Sequence, residues 1–527
     1  MNVSPDGRFV AVRTGSSSQA GGPLFVGPVA GPLTQVGAQV GYSTKFSADS
    51  NWVVFVDDHS NSSGGGLETL KARSLVTGIT STLGQGLQIS ADVSISPSNR
   101  VFFIDQFSYA AGVGRLRSHD LTAGTGVTLD TAAYQFELSS TGSALAWMTN
   151  YSIATRTADL KMTSLPTMSI STIGTQVALQ CAHFTEAGNA FVFLDGVTSS
   201  ANPVGRLRSR TSNGIVYTVA PQARTDQSWC FVASRDGTRL IYLTSHANSA
   251  GTAFWVPVVG GPSIPMGNAV GYRRLSYFSD ASAIEYLDAY VDGFNTDYGT
   301  MTFLRAGQSP VTIATNVYGR YNTLVPSGLL SIFASNYDFA LGRGTLNLLN
   351  HTTGQMTQLA TNAHEWAEFA PDTSKALILA EHAESTTSAR LEIVDLPNGT
   401  NKRVITTSAQ NYRYEFKDPT HISYVANWTG MFGNVTYEDV ANGGAQIIAS
   451  TSTIFMSDRV DAQRQAFTML TSSVSTSPPG TLRVVRISDG ANAVVDFSVS
   501  TKVEWATGNR LLYEKSGELW TKTVTWQ

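Results

Sequence analysis

The chain has 527 residues, of which 42% are apolar and 14% charged, with a formal net charge of −4 and two cysteines. That length and apolar share supply a large core and exclude a disordered or collagen-like polymer. The near-neutral charge, with no basic run, excludes a protein built around nucleic acid or an anionic membrane, since both need a clustered cationic surface.

No stretch approaches the roughly 20 apolar residues of a membrane span. The N-terminus, Met1-Asn2-Val3-Ser4-Pro5-Asp6-Gly7, lacks the regions of a signal peptide and begins inside a motif that returns downstream. The natural chain is therefore expected to extend upstream of Met1 and to carry its targeting signal there. Charged residues are about half as frequent as the typical quarter, and Ser, Thr, Asn and Gly fill the loops, a composition that hints at an extracytoplasmic protein.

In chain order, the turn at Ser4-Pro5-Asp6-Gly7 has relatives at 47–50, 96–99, 139–142, 185–188, 234–237, 279–282, 325–328, 370–373, 417–420, 461–463 and 505–508. These are twelve copies, and the eleven steps from Gly7 to Gly508 average about 45 residues, the length of a four-stranded propeller blade. Each turn precedes a short apolar strand such as Phe9-Val10-Ala11-Val12, Trp52-Val53-Val54-Phe55 or Val101-Phe102-Phe103-Ile104. A polar loop follows, then an alternating strand such as Arg115-Leu116-Arg117-Ser118, a turn, and a more exposed fourth strand. No segment has the 3.6-residue period of a long amphipathic helix. The expected fold is all-β, a β-propeller of twelve four-stranded repeats.

Ser-Pro-Asp-Gly followed by an apolar strand, copied through the chain, resembles the TolB-like, WD40-like propeller repeats of bacterial extracytoplasmic proteins. The resemblance covers essentially the whole chain, although only about half the copies keep a recognisable turn. It implies a propeller and, often, a periplasmic or cell-surface setting with protein-binding duties. It implies no reaction, because propellers host many functions, and no G-x-S-x-G nucleophile elbow occurs.

Twelve repeats can close as one ring over 1–527 or as two six-bladed propellers, 1–272 and 273–527. The junction between the sixth and seventh repeats has no extended linker, which favours one twelve-bladed ring. The first strand of each repeat alternates between blade core and channel. Core positions fall at Phe46, Ile95, Leu138, Phe184, Phe278, Leu324, Phe369, Phe416 and Trp505; channel positions include Lys45, Glu137, His183, Tyr277, Glu368, Glu415 and Glu504. Glu368, Glu415 and Glu504 would converge on a hard cation in a narrow channel and are solvated in a wide one. The wide ring is favoured, so no metal, cofactor or catalytic residue is assigned.

The loops between second and third strands hold Asp57, Asp58, His59, Phe107, Tyr151, Asp288, Tyr290, Asp292, Tyr337, Asp338, His382 and Trp428. In a propeller these loops share one face. Aromatics beside carboxylates suit recognition of sugars or peptides; the alternative is that the aromatics pack between loops and the acids cap turns. Cys181 and Cys230 hold equivalent positions in neighbouring repeats and are expected to stay reduced, because inner strands of adjacent blades usually stand too far apart for a disulfide.

The leading functional expectation is a non-catalytic binding or scaffold propeller recognising a protein or glycan through its long-loop face; the competitor is a propeller-fold lyase or glycoside hydrolase. The last repeat reaches Gln527 one strand short, so its edge is expected to accept an upstream segment or a second chain.

Overall fold

The repeated turn is held by its own side chains. Ser4 Oγ donates to Asp6 Oδ1 (2.7 Å) and accepts from the Phe9 N–H (3.0 Å), while Asp6 Oδ1 also accepts from the Arg8 N–H (3.0 Å). Ser47 with Asp49 and Ser234 with Asp236 repeat the arrangement. The fourth residue is left-handed, with φ of 71° at Gly7 and positive φ again at Ser50, Asn99, Gly142, Gly188, Gly237 and Thr373; in the copy at 279–282 the left-handed residue is the third, Ala281, because that turn begins at Phe278. Short oxygen-bearing side chains thus take over the backbone bonds that a reversal leaves unmade.

The computed structural model describes residues 1–14, 21–41, 43–59, 67–88, 92–165, 167–197, 203–224, 230–246, 249–271, 275–292, 297–318, 323–324, 329–383, 388–429, 432–457, 465–472, 479–506, 509–516 and 518–525. The turn copies at 325–328 and 461–463, and the end of the copy at 505–508, lie outside them.

Among the described residues the chain is all-β, and its helical content is the 3-10 turn Leu179–Cys181. The fifth repeat shows the unit clearly: Ala182–Phe184, Ala190–Asp195, Val204–Thr211 and Val216–Arg224 pair in succession as an antiparallel meander. Such a meander, repeated, is the blade of a β-propeller. Some junctions need no loop. Thr125–Leu138 pairs through its first part with Val113–Asp120 and through its last with Ala144–Ser152, so one strand serves as outer strand of the third repeat and inner strand of the fourth.

The core lies between repeats. Val54, Val56, Leu70 and Leu87 of the second repeat pack against Val93, Val101 and Phe103 of the third, and Ala146, Met148 and Leu160 of the fourth against Phe191 and Phe193 of the fifth. Burying one such side chain contributes about 1.5–3 kcal/mol. Glycines in the outer strands admit the neighbour: a Cβ on Gly84 would stand 2.3 Å from the Phe103 ring, and one on Gly174 2.8 Å from Phe193.

The chain divides into two compact units, one of Met1–Thr244, Val256–Ser263 and Lys502–Gln527, the other of Ser245–Trp255 and Ile264–Thr501. Within the first, Leu512 packs with Val10, Val12 and Val29, so the last repeat lies beside the first. Its outer strand, Glu518–Thr523, pairs with Arg510–Lys515 and is the last strand in its sheet.

Candidate functional site

Two of the loop carboxylates that looked chemical in the sequence, Asp57 and Asp288, serve as clips between repeats, as does Asp195. Asp57, 4% exposed, accepts from the Gln39 N–H of the preceding repeat (3.0 Å) and pairs with Lys71 (2.7 Å). Asp195, 1% exposed, accepts from the Thr175 N–H (3.1 Å), Arg206 (2.9 Å) and Arg208 (2.8 Å). In the second unit Asp288 accepts from the Ala269 N–H (3.3 Å). The bonds to Lys71 and the Gln39 N–H hold the Asp57 carboxyl below its usual pKa against the opposing effect of burial.

The aromatic and histidine candidates pack in the same way. Phe107, Tyr290 and Trp428 are buried, Tyr151 lies on Tyr134 (4.2 Å between ring centres), and Tyr337 stacks on Tyr318 (4.4 Å) and donates to Glu365. His59 is buried against Glu68, and His382 meets Asn411 Nδ2 (3.2 Å) and the edge of His364 (4.8 Å). Asp338 caps its turn through the Ala340 and Leu341 N–H groups. Asp58 and Asp292 are exposed. Several of these loops hold a left-handed residue at Asp58, Asn150, Asn336, Glu381 or Asn427, a conformation that short Asn and Asp tolerate better than most residues.

On the inner strands the pattern is cross-repeat bonding. Lys45 Nζ donates to the Val93 carbonyl (2.7 Å), Glu137 Oε1 accepts from the Phe184 N–H (3.0 Å), and Glu368 Oε1 from the Phe416 N–H (2.9 Å). Tyr277 is partly exposed and Glu504 exposed.

Glu137 and His183, predicted at equivalent inner positions, are brought together. Their Oε2 and Nδ1 lie 3.1 Å apart with 37% and 53% of the side chains exposed, and the bond to Glu137 raises the imidazole pKa above its usual value. The pair borders a cavity of about 240 Å³ lined also by Asp92, Gln135, Trp147 and Met148. The pocket therefore joins a carboxylate, an imidazole and an amide to apolar walls.

The expectation of two reduced cysteines is corrected: Cys181 and Cys230 form a disulfide, with Cα atoms 5.4 Å apart. The 3-10 turn Leu179–Cys181 places Cys181 ahead of its strand, where the spacing falls within the bonding range. The Leu179 carbonyl accepts from Gln135 Nε2 (3.4 Å) and the Gln180 carbonyl meets His183 Nε2 (3.1 Å), so the disulfide anchors backbone that carries the pocket's polar groups.

A second correction concerns Glu368 and Glu415, expected to be solvated. Both are partly buried, and burial together with the nearby Glu415 charge pushes the Glu368 pKa up to about 8. Glu415 is paired with Lys417, whose side chain is wholly buried and sits 4.5 Å from the Phe467 ring centre. Glu504 belongs to the other unit.

Sequence spacing gave no sign of a buried Ser-His-Glu group in the second unit. Ser331 Oγ donates to Glu285 Oε1 (2.8 Å), and His351 Nε2 lies 2.6 Å from that carboxylate and 3.2 Å from the serine. One ring nitrogen faces both partners, whereas a relay needs the imidazole between them; this is a structural hydrogen-bonded cluster. No group of three or more His, Cys, Asp or Glu among the described residues is arranged to hold a metal.

No family model and no curated protein matches the chain. Similar solved structures include the tricorn protease (10% identity over 97% of this chain, TM-score 0.31) and a eukaryotic initiation factor (12% identity, 77% of this chain and 88% of that one, TM-score 0.36). A third is an oligogalacturonate lyase in complex with manganese (11% identity, 69% of this chain and 98% of that one, TM-score 0.28). The chain spans about 60% of the tricorn protease chain. Likeness at this level carries no argument about activity.

Proposed function

We propose that this is a non-catalytic binding or scaffold propeller, of the TolB-like kind and from an extracytoplasmic, bacterial setting, that recognises a protein or glycan. The observation that carries the reading is the Glu137–His183 pair beside its cavity, which Gln135 and Asp92 also line. Exposed donors and acceptors over an apolar wall fix the orientation of a hydroxyl- or amide-bearing ligand. The disulfide supports an oxidising compartment. Recognition centres on this inner-strand pocket, with the exposed loop residue Asp58 of the same unit contributing.

The experiment is a glycan and peptide array probed with the protein and with Glu137→Gln and His183→Gln. Binding that falls at least tenfold in both variants is expected; binding that neither variant changes sinks the assignment of the pocket.

The enzyme reading, a lyase or glycoside hydrolase, has one observation in its favour: a carboxyl kept protonated near neutrality at Glu368 can donate a proton. Polysaccharide turnover, with or without divalent metal, that Glu368→Gln abolishes would replace the binding proposal.

A further inference from the structure

The third strand of the fifth repeat, Val204–Thr211, carries three guanidiniums at alternate positions, Arg206, Arg208 and Arg210, and so on one face. The facing second strand supplies one carboxylate, Asp195, which engages Arg206 (2.9 Å) and Arg208 (2.8 Å). Arg210 lies one step beyond its reach. Among the described residues Arg210 has no ion pair, and its polar contact is a single bond from Nη1 to Ser171 Oγ (3.1 Å) on the outer strand of the preceding repeat.

Arg210 borders a cavity of about 250 Å³ between the fourth and fifth repeats, at the end of the blades where the Ser-Pro-Asp-Gly-type turns lie. Its wall is largely apolar, with Phe184 and Phe191 prominent, and Ser143, Ser164 and Ser212 are also among its lining residues. Burial lowers the guanidinium pKa, the mark of a cation short of solvent and of counter-charge.

We infer that this cavity binds the carboxylate of a small organic acid, with Arg210 as its anchor and the phenyl rings against the ligand's apolar body. A guanidinium presents parallel N–H groups that match a carboxylate, and with Nη1 committed to Ser171 the Nε and Nη2 edge remains for it. A single cation balances one negative charge and leaves a phosphate dianion under-neutralised. The site is separate from the Glu137–His183 pair, although Phe191 contributes to both cavities.

The test is calorimetric titration of the whole protein with benzoate, its uncharged analogue benzamide, and inorganic phosphate. Benzoate is expected to bind saturably, benzamide and phosphate at least tenfold more weakly. Arg210→Gln is expected to weaken benzoate at least tenfold and Arg210→Lys, which keeps the charge but loses the fork, severalfold. Glu137→Gln should leave benzoate binding unchanged, which separates failure of this site from failure of the pocket on the inner strands. Equal binding of benzoate and benzamide, tighter binding of phosphate, or benzoate affinity indifferent to Arg210→Gln would each overturn the proposal. Should Arg210→Gln not fold, the comparison of the two ligands on the unaltered protein and the Arg210→Lys titration decide the matter.

Discussion

The Cα atoms of Cys181 and Cys230 lie 5.4 Å apart with their sulfurs joined, across a sequence separation of 49 residues. The bond closes one whole repeat upon itself at the inner strands. A crosslink of that span restricts the unfolded chain, and its loss costs about 2–4 kcal/mol. Cys181→Ser with Cys230→Ser is therefore expected to lower the urea midpoint, and reduction of the native protein to reproduce the shift. Coincident unfolding curves for oxidised and reduced protein would show that the bond contributes nothing.

How far the sequence could be read follows from what each feature depends on. The turns were legible because Ser4, Asp6 and Gly7 make their bonds within five residues of each other, and the strands because alternation is local. The equivalent inner positions of Glu137 and His183 were legible from the repeat, but their approach to 3.1 Å was not, because it depends on the spacing of adjacent repeats. Nor was the disulfide, because it turns on the short Leu179–Cys181 helix, which no period announces. Asp57 and His59 read as ligand groups because composition cannot distinguish a carboxylate aimed at solvent from one accepting a neighbouring repeat's N–H. The unbalanced charge at Arg210 needs a count of carboxylates in space.

Asp195 offers a test of the clips. Its carboxylate accepts from two arginines and from the Thr175 N–H of the adjacent repeat while 1% exposed. Removing one partner of a buried pair costs about 3–5 kcal/mol, because the other is left uncompensated; partial exposure of Arg206 and Arg208 draws the expectation for Asp195→Ala down to about 2–4 kcal/mol. Asp195→Asn, which keeps an acceptor for the Thr175 N–H, should lose less. Equal losses in denaturant unfolding would mean that the backbone bond carries no weight.

Glu368 predicts a pH dependence of stability. Its pKa rises from 4.5 to about 8 in the folded protein, so between those values the native state holds a proton that the unfolded chain has released. Stability then falls as pH rises from about 4.5 to about 8. Glu368→Gln removes that contribution, and its stability relative to the native protein should climb across the same window. Parallel curves for the two proteins from pH 5 to pH 8 would mean that Glu368 titrates normally.

The contact of Leu512 with Val10, Val12 and Val29 joins the last repeat to the first within one unit. Leu512 is 2% exposed, and Val10 1%. Truncating a buried leucine removes its transfer energy and leaves a cavity, a loss of about 2–5 kcal/mol. Leu512→Ala is expected to fall in that range, whereas Val127→Ala, at a position 53% exposed on an outer strand, should stay within about 0.5 kcal/mol. Magnitude alone does not locate the effect, so hydrogen exchange supplies the second readout. If the last repeat braces the first, Leu512→Ala should speed exchange in the strand Phe9–Arg13 as well as in Arg510–Lys515, while Ala190–Asp195 keeps its protection. Faster exchange confined to Arg510–Lys515 would show that the N-terminal strand does not depend on Leu512 for its stability.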